Sequence, residues 1–178
     1  MRNVRCHCSQ SCRSAVRLRF PTPKSRALLT IRDVARSDRA QWQALWDGYN
    51  EFYGRSGPTA LDPEITELTW ERFFDPGEPV HGLVAVEEER IVGLAHYLFH
   101  RSTTRSRHVC YLQDLFTLQS FRGRGIGCKL IEAVVVAAQH AGSSRVYWQT
   151  RVDNHVARVL YDRLAKDSGF MVYVREIE

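Results

Sequence analysis

Two hydrophobic periods alternate along this chain and divide it into elements. Residues 28–34 (LLTIRDV) read as a first strand. Ser37 then suits a helix start, and Trp42, Leu45, Trp46, Tyr49, Phe52 and Tyr53 recur at helical spacing as far as Gly54. Gly57-Pro58 breaks the chain, and Asp62-Pro63 places a cap and a first-turn proline before a second helix over 63–74. The period then becomes strand-like: 82–87 (GLVAVE), a turn at 88–90 and 91–100 (IVGLAHYLFH) predict a hairpin. A polar loop over 101–107 leads to a further strand at 108–118 (HVCYLQDLFTL).

The clearest helix runs from Gly125 to Ala141, with Ile126, Leu130, Ile131, Val134, Val135 and Ala138 on one face and Gly142 at its end. Residues 145–149 predict a strand, 154–165 a short helix, and 170–177 a last strand. The order β-α-α-β-β-β-α-β-α-β predicts an α/β fold with a mixed sheet covered by helices.

Composition changes this picture in one respect. The 178 residues carry a formal charge of +5. Residues 1–32 hold seven Arg and Lys24 with no acid, so the rest of the chain is net negative, at −3. A basic surface for nucleic acid is therefore not expected of the domain. Residues 1–27 read as a basic extension, set apart from a domain over 28–178. They lack a secretory h-region, and although their Arg- and Ser-rich make-up is like that of a transit peptide, a plain extension is preferred. Cys6, Cys8, Cys12 and His7 fit no zinc spacing, so no metal is expected. Cys110 and Cys128 lie in apolar-patterned segments and read as reduced thiols, which points to the cytoplasm. No apolar run has membrane-spanning length.

Chemistry concentrates between the strand at 108–118 and the best helix. Arg122-Gly123-Arg124-Gly125-Ile126-Gly127 places three alternating glycines where helix N–H groups lack intrahelical partners, an anion site suited to a pyrophosphate. A P-loop would need Lys-Ser/Thr after the glycine, and Cys128 stands there. A Rossmann fingerprint would need its third glycine one residue later. A glycine-rich turn without a ligand is the remaining alternative.

Arg122-x-x-Gly125-x-Gly127 resembles the acetyl-coenzyme A motif of the GNAT acetyltransferases. Tyr111-Leu112-Gln113-Asp114-Leu115-Phe116-Thr117 is similar to the strand that precedes it. Trp148, Asn154, Ala157, Leu160-Tyr161 and Gly169-Phe170 are similar to the closing strand and helix. The resemblance spans essentially the whole domain and implies a GNAT-like, mostly antiparallel sheet flanked by helices. Within the superfamily the pattern looks nearest to diamine, polyamine and histone-polyamine acetyltransferases. It implies acetyl transfer to a primary amine by direct attack, with a polyamine-like acceptor favoured and an amino acid or protein amine as the alternative. A coenzyme-binding sensor without catalysis is a third reading. A homodimer is also implied.

By the same resemblance, Leu115, Phe116 and Thr117 would border the coenzyme arm, with the main chain of Leu115 and Thr117 bonding to it. A main-chain N–H there would polarise the thioester carbonyl. Amides of Gly123, Arg124, Gly125, Ile126, Gly127 and Cys128 would hold the pyrophosphate, Arg122 and Arg124 would add charge, and Asn154 would touch the arm. Tyr161, two helical turns after Asn154, would be the general acid; otherwise it is a half-buried core tyrosine. The family base is a Glu where this chain has Gln113, which cannot take a proton. Asp114 remains as an acceptor-binding carboxylate, a base acting through water, or a structural hydrogen-bonding group. Glu51 is a second candidate carboxylate for the acceptor, and His96, His100 and His108 are further candidate bases. Trp42 and Trp46, one turn apart, read as core packing or as acceptor-pocket walls.

Overall fold

The computed structural model describes residues 28–177; the basic extension lies outside them. Five strands form one sheet in the order β1-β2-β3-β4-β5: Leu29–Asp33, Val80–Glu87, Arg90–Ser102, Arg105–Thr117 and Val146–Trp148. The first four are antiparallel neighbours, and β5 pairs in parallel with β4. Helices α1 (Arg39–Phe52) and α2 (Pro63–Arg72) lie in sequence between β1 and β2. Helix α3 (Ile126–His140) makes the crossover from β4 to β5, as a parallel connection requires, and α4 (His155–Leu164) follows β5. This is the mixed sheet that the pattern predicts, with the mostly antiparallel arrangement that the resemblance implies.

Alternation along the strands makes two cores. On one face Leu83, Ala85, Val92, Ala95, Cys110 and Leu112 pack against Ile126, Leu130, Ile131 and Val134 of α3. On the other face Val84, Ile91 and Leu94 meet Trp42, Leu45, Trp46 and Tyr49 of α1 and Trp70 of α2. Trp42 and Trp46 are core residues: their rings stack at 5.9 Å, and Trp70 tilts against Trp42 at 4.9 Å.

The sequence expectations fail at three places. Ser37 does not cap α1; it sits inside a 3-10 turn, Arg36–Asp38. Asp38 does the terminal work, accepting from the Ala35 N–H at 2.8 Å and from both arms of Arg32 at 2.6 and 2.9 Å. A carboxylate outcompetes a hydroxyl there because it satisfies the main chain and a guanidinium together. The polar loop over 101–107 is instead a tight continuation of the β3–β4 hairpin, with Ser102 opposite Arg105.

The last strand over 170–177 is absent among the described residues: no ladder forms, and Phe170, Met171, Val172, Tyr173, Val174 and Ile177 are exposed. Period and composition specify which side chains could share a face. Pairing also needs an edge of matching length, and β5 presents three residues.

The Arg32 guanidinium beside Asp38 holds this carboxyl below the usual carboxylate range. Its stabilisation is therefore present at neutral pH and is lost as pH falls through the lowered folded value. Asp38→Asn should lower stability by about 1–2 kcal/mol at pH 7, since Arg32 is part-solvated. The deficit should shrink as pH falls below 4, as read by urea unfolding across pH.

Candidate active site

Strand β4 is the element on which candidate chemistry gathers, because it outruns its neighbour. Parallel pairing with β5 covers only Cys110–Leu112 against Val146–Trp148, while β4 continues to Thr117. Leu118 N donates to Val92 O at 3.0 Å. Stepping back in twos along the antiparallel ladder, Phe116 turns its main-chain groups toward β3. Leu115 and Thr117 therefore turn theirs toward the gap that β5 leaves. Thr117 O accepts from Arg122 Nε at 3.1 Å.

A bulge re-aims the middle of β4. His96 pairs with Asp114, but the next β3 residue, Tyr97, pairs with Leu112, leaving Gln113 as the extra residue. Leu112 keeps its place in the α3-side core, while Asp114 faces α1. Gln113 is exposed.

Behind Asp114 lies a buried polar chain. Trp42 Nε1 donates to His96 Nε2 at 2.9 Å, and His96 Nδ1 lies 3.0 Å from Asp114 Oδ2. Indole N–H is a donor only, so Nε2 of His96 accepts and its proton sits on Nδ1, from which it donates to Asp114. The three residues are 1%, 3% and 8% exposed. Tyr49 stands close by, and burial together with the Asp114 carboxylate pushes its phenol strongly up. His96, a candidate base by sequence, has both nitrogens occupied. His100 bonds Tyr147 and the Arg101 carbonyl. His108 stands six residues from Asp114 on the same strand, about 20 Å away.

Tyr53, one turn beyond Tyr49, joins the far side of the site. Burial and Asp114 both raise its phenol, and Arg55 and Arg151 partly offset them. Tyr161 packs edge-on against Trp148 at 5.5 Å. Burial, then Tyr53, pushes its phenol up to about 12. Its hydroxyl makes no hydrogen bond among the described residues. A cavity of about 870 Å³ between β5, α4 and residues 166–172 reaches Tyr161.

The turn before α3 has Gly123 at φ 75° and Gly125 at φ 80°, conformations that side chains resist, with open space where each Cβ would stand. Gly125 caps α3, so the N–H groups of Ile126, Gly127 and Cys128 open the helix without intrahelical partners. This nest and the free main-chain edge of Leu115 fit a pyrophosphate on an amide-bearing arm. The two arginines of the turn are engaged within the protein. Arg124 pairs with buried Glu87, and Arg122 covers the Phe52 and Phe116 rings. Cys128 lies beside Glu132, which together with burial raises its thiol.

Asn154 caps α4 by accepting from Ala157 N at 3.4 Å and donates to Thr150 at 3.1 Å. Glu51 is exposed on α1. Burial drives the Cys110 thiol up to about 12, so it offers no thiolate at neutral pH. Among the described residues no group of His, Cys, Asp and Glu could hold a metal ion. Sequence reasoning read Tyr49 and Tyr53 as helix packing and passed over Arg55. Their spacing is that of any amphipathic helix, and only the fold brings them to Asp114.

The family model described as Acetyltransferase (GNAT) family matches residues 42–165. D-amino-acid N-acetyltransferase HPA3 of Saccharomyces cerevisiae is 33% identical over 83% of this chain and 90% of its own length. Thialysine N-epsilon-acetyltransferase of Bos taurus is 34% identical over 50% of this chain and 48% of its own. Among solved structures, AAC(6')-Iy bound to the bisubstrate analog CoA-S-monomethyl-acetylneamine superposes with TM-score 0.71 at 19% identity. It covers 85% of this chain and 99% of that one, a likeness of fold.

Trp42→Phe should retain the apolar packing but leave His96 Nε2 a buried acceptor without a donor. The expected loss is about 1–3 kcal/mol in urea unfolding. An unchanged midpoint would mean that Trp42 contributes packing alone.

Proposed function

The chain belongs to the GNAT acetyltransferase family and is an acyltransferase; from that premise we propose that it acetylates a small primary amine by direct attack, using the gap beside β4. The observation that carries this reading is the juxtaposition at that gap. The unclaimed main-chain edge of Leu115, the glycine turn before α3 and the unpaired Tyr161 hydroxyl all belong to the elements that border it.

When bound, acetyl-coenzyme A supplies a thioester whose carbonyl carbon takes the amine and whose sulfur departs as thiolate. The Leu115 N–H, aimed into the gap, donates toward charge developing on the carbonyl oxygen. Asp114 receives the acceptor's amino group, which attacks as the free amine after its ammonium has lost one proton to solvent. The Asp114 carboxylate is fixed by His96 and is the buried acid of this region. The amide nest of Gly123–Cys128 holds the pyrophosphate, and Asn154, fixed as the α4 cap, borders the arm. Direct attack agrees with Cys110, whose thiol keeps its proton.

Tyr161 is the proton donor to the leaving group. A phenol at about 12 arrives protonated at neutral pH. Full transfer to a thiolate of ordinary basicity, near 8.5, would run uphill by about 4–5 kcal/mol. The phenol therefore acts first as a hydrogen-bond donor to the developing charge, and its proton passes to sulfur only as the attacking nitrogen gives up its own, which restores the phenol.

The acceptor is a free small molecule on this reading. Two relatives are named for acetylating D-amino acids and thialysine, which favours an amino acid over the polyamine that the motif pattern alone suggests.

Three outcomes test the reading by following free thiol release from acetyl-coenzyme A. Tyr161→Phe should lower kcat by about 10²–10⁴, and an unchanged rate would remove Tyr161 from the mechanism. The pH profile of kcat/KM should climb as the amine loses its proton and show no descending limb up to pH 10. A fall near pH 8–9 would assign the acid to another group. Gly125→Val should raise KM for acetyl-coenzyme A by ten-fold or more, because a β-branched residue at φ 80° distorts the nest.

A further inference from the structure

Under the transfer reading an amino acid is favoured by the names of relatives alone, and the surroundings of the Tyr49–Tyr53 pair bear on the acceptor independently. Resting on that reading, we infer that the acceptor is an amine bearing a carboxylate, its amino group at Asp114 and its carboxylate read by Arg55.

Arg55 is held in place without being neutralised. Tyr53 ends α1, and Gly54 at φ 76° reverses the chain so that Arg55 folds back on the last helical turn. Its main-chain N–H donates to Asn50 O at 2.9 Å, and its Nε donates to Asn50 Oδ1 at 2.7 Å. Asn50 is itself buried, and its Nδ2 donates to Trp46 O at 2.9 Å. The guanidinium thus lies 5.5 Å from the centroids of both the Tyr49 and the Tyr53 rings. With Nε committed, the two terminal nitrogens remain, and they make no hydrogen bond or ion pair among the described residues.

Several other arginines are matched with acids: Arg32 pairs with Asp38, Arg36 with Glu71, Arg39 with Glu67 and Arg151 with Asp153. Arg55, like Arg122, is anchored through Nε with no acid partner among the described residues, and it is the one set against the Tyr49–Tyr53 pair, a planar two-nitrogen fork whose geometry matches a carboxylate. The opposite charge lies close by: after burial, the Asp114 carboxylate raises the phenols of both Tyr49 and Tyr53, and Arg55 partly offsets it at both. A molecule bound against these two rings is within reach of an anion and a cation.

That polarity separates two acceptor classes. A zwitterion satisfies both ends. A diamine or polyamine would place its second ammonium against a guanidinium, with no second buried acid to receive it. Glu51 cannot serve, since it is two residues from both Tyr49 and Tyr53 on α1 and so lies off their face.

The experiment compares each amino acid with the amine obtained by replacing its carboxylate with hydrogen: alanine with ethylamine, and lysine with 1,5-diaminopentane. Spermidine is added, and thiol release is followed at saturating acetyl-coenzyme A with rates referred to the unprotonated amine. The full chain should favour the carboxylated member by at least about 10-fold in kcat/KM. Arg55→Met should reduce that ratio by about 10–100-fold, the worth of a hydrogen bond to a charged group. The change should fall mainly on KM. Arg55→Lys should lie between, keeping the charge without the fork.

Equal rates for the paired acceptors in the unaltered protein, or a preference for spermidine, would overturn the inference while leaving acetyl transfer standing. An intact ratio in Arg55→Met would also overturn it, leaving Arg55 as a helix-end brace. Thiol release with no acceptor of either class would overturn the transfer reading and this inference together. Thermal melting shows whether each variant folds, and if one does not, the ratio in the unaltered protein decides.

Discussion

Where Leu112 and Trp148 cease to pair, β4 runs on for five more residues with one edge of its main chain unclaimed by a neighbouring strand. A main-chain edge in a protein interior needs partners, and leaving it open is costly unless solvent or a ligand reaches it. The α3 crossover enforces the gap. The same chain that leaves β4 at Thr117 must make its turn through Gly123 and Gly125, run through α3 and return at Val146. The return is short, and α4 rather than a longer strand continues from it. The opening and the glycine turn are thus two consequences of one connection.

The bulge at Gln113 supplies the other half of the arrangement. Without the bulge, strict alternation through Gln113 would put Asp114 on the same face as Leu112, inside the α3-side core, where a carboxylate would find no polar partner. With it, Asp114 meets His96 and Tyr49 on the α1 face. The burial of this acid depends on a donor chain that ends at an indole, a group that cannot accept and so fixes the direction of every hydrogen bond before it. Trp42 therefore serves core and site at once, which is why the two readings of its spacing cannot be separated by pattern.

Much of the fold was legible because it follows from local rules. The β-to-helix switch, the Asp62-Pro63 start of α2 and the apolar face of α3 all matched their elements to within a few residues. The misses share a cause. Ser37 lost its capping role to Asp38 because Arg32, six residues away, made the carboxylate the better group. The apolar run over 170–177 found no edge, which is a property of β5 and not of the run itself. The bulge was invisible, since one register shift leaves no trace in composition. Arg55 was passed over for the same reason: nothing in a Gly-Arg-Ser triplet says that the arginine folds back onto two tyrosines.

This contrast follows from the chemistry of the two ligands. On the proposed reading the donor is held largely by main-chain amides, and main-chain geometry writes itself into sequence as glycines at fixed spacing, because other residues resist those angles. The acceptor is held by side chains brought from α1, the turn after it and the bulge in β4. These meet through tertiary contacts between residues 18 to 65 positions apart, from His96–Asp114 to Tyr49–Asp114, and no local pattern records them. A family motif therefore names the donor while saying little about the amine. What discriminates acceptors is the sign and spacing of a few charges, and on the proposed reading those are one buried carboxylate and one anchored guanidinium close to a tyrosine pair. An acceptor matching that polarity is bound by charges already oriented before it arrives, whereas a polycation must displace or repel one of them.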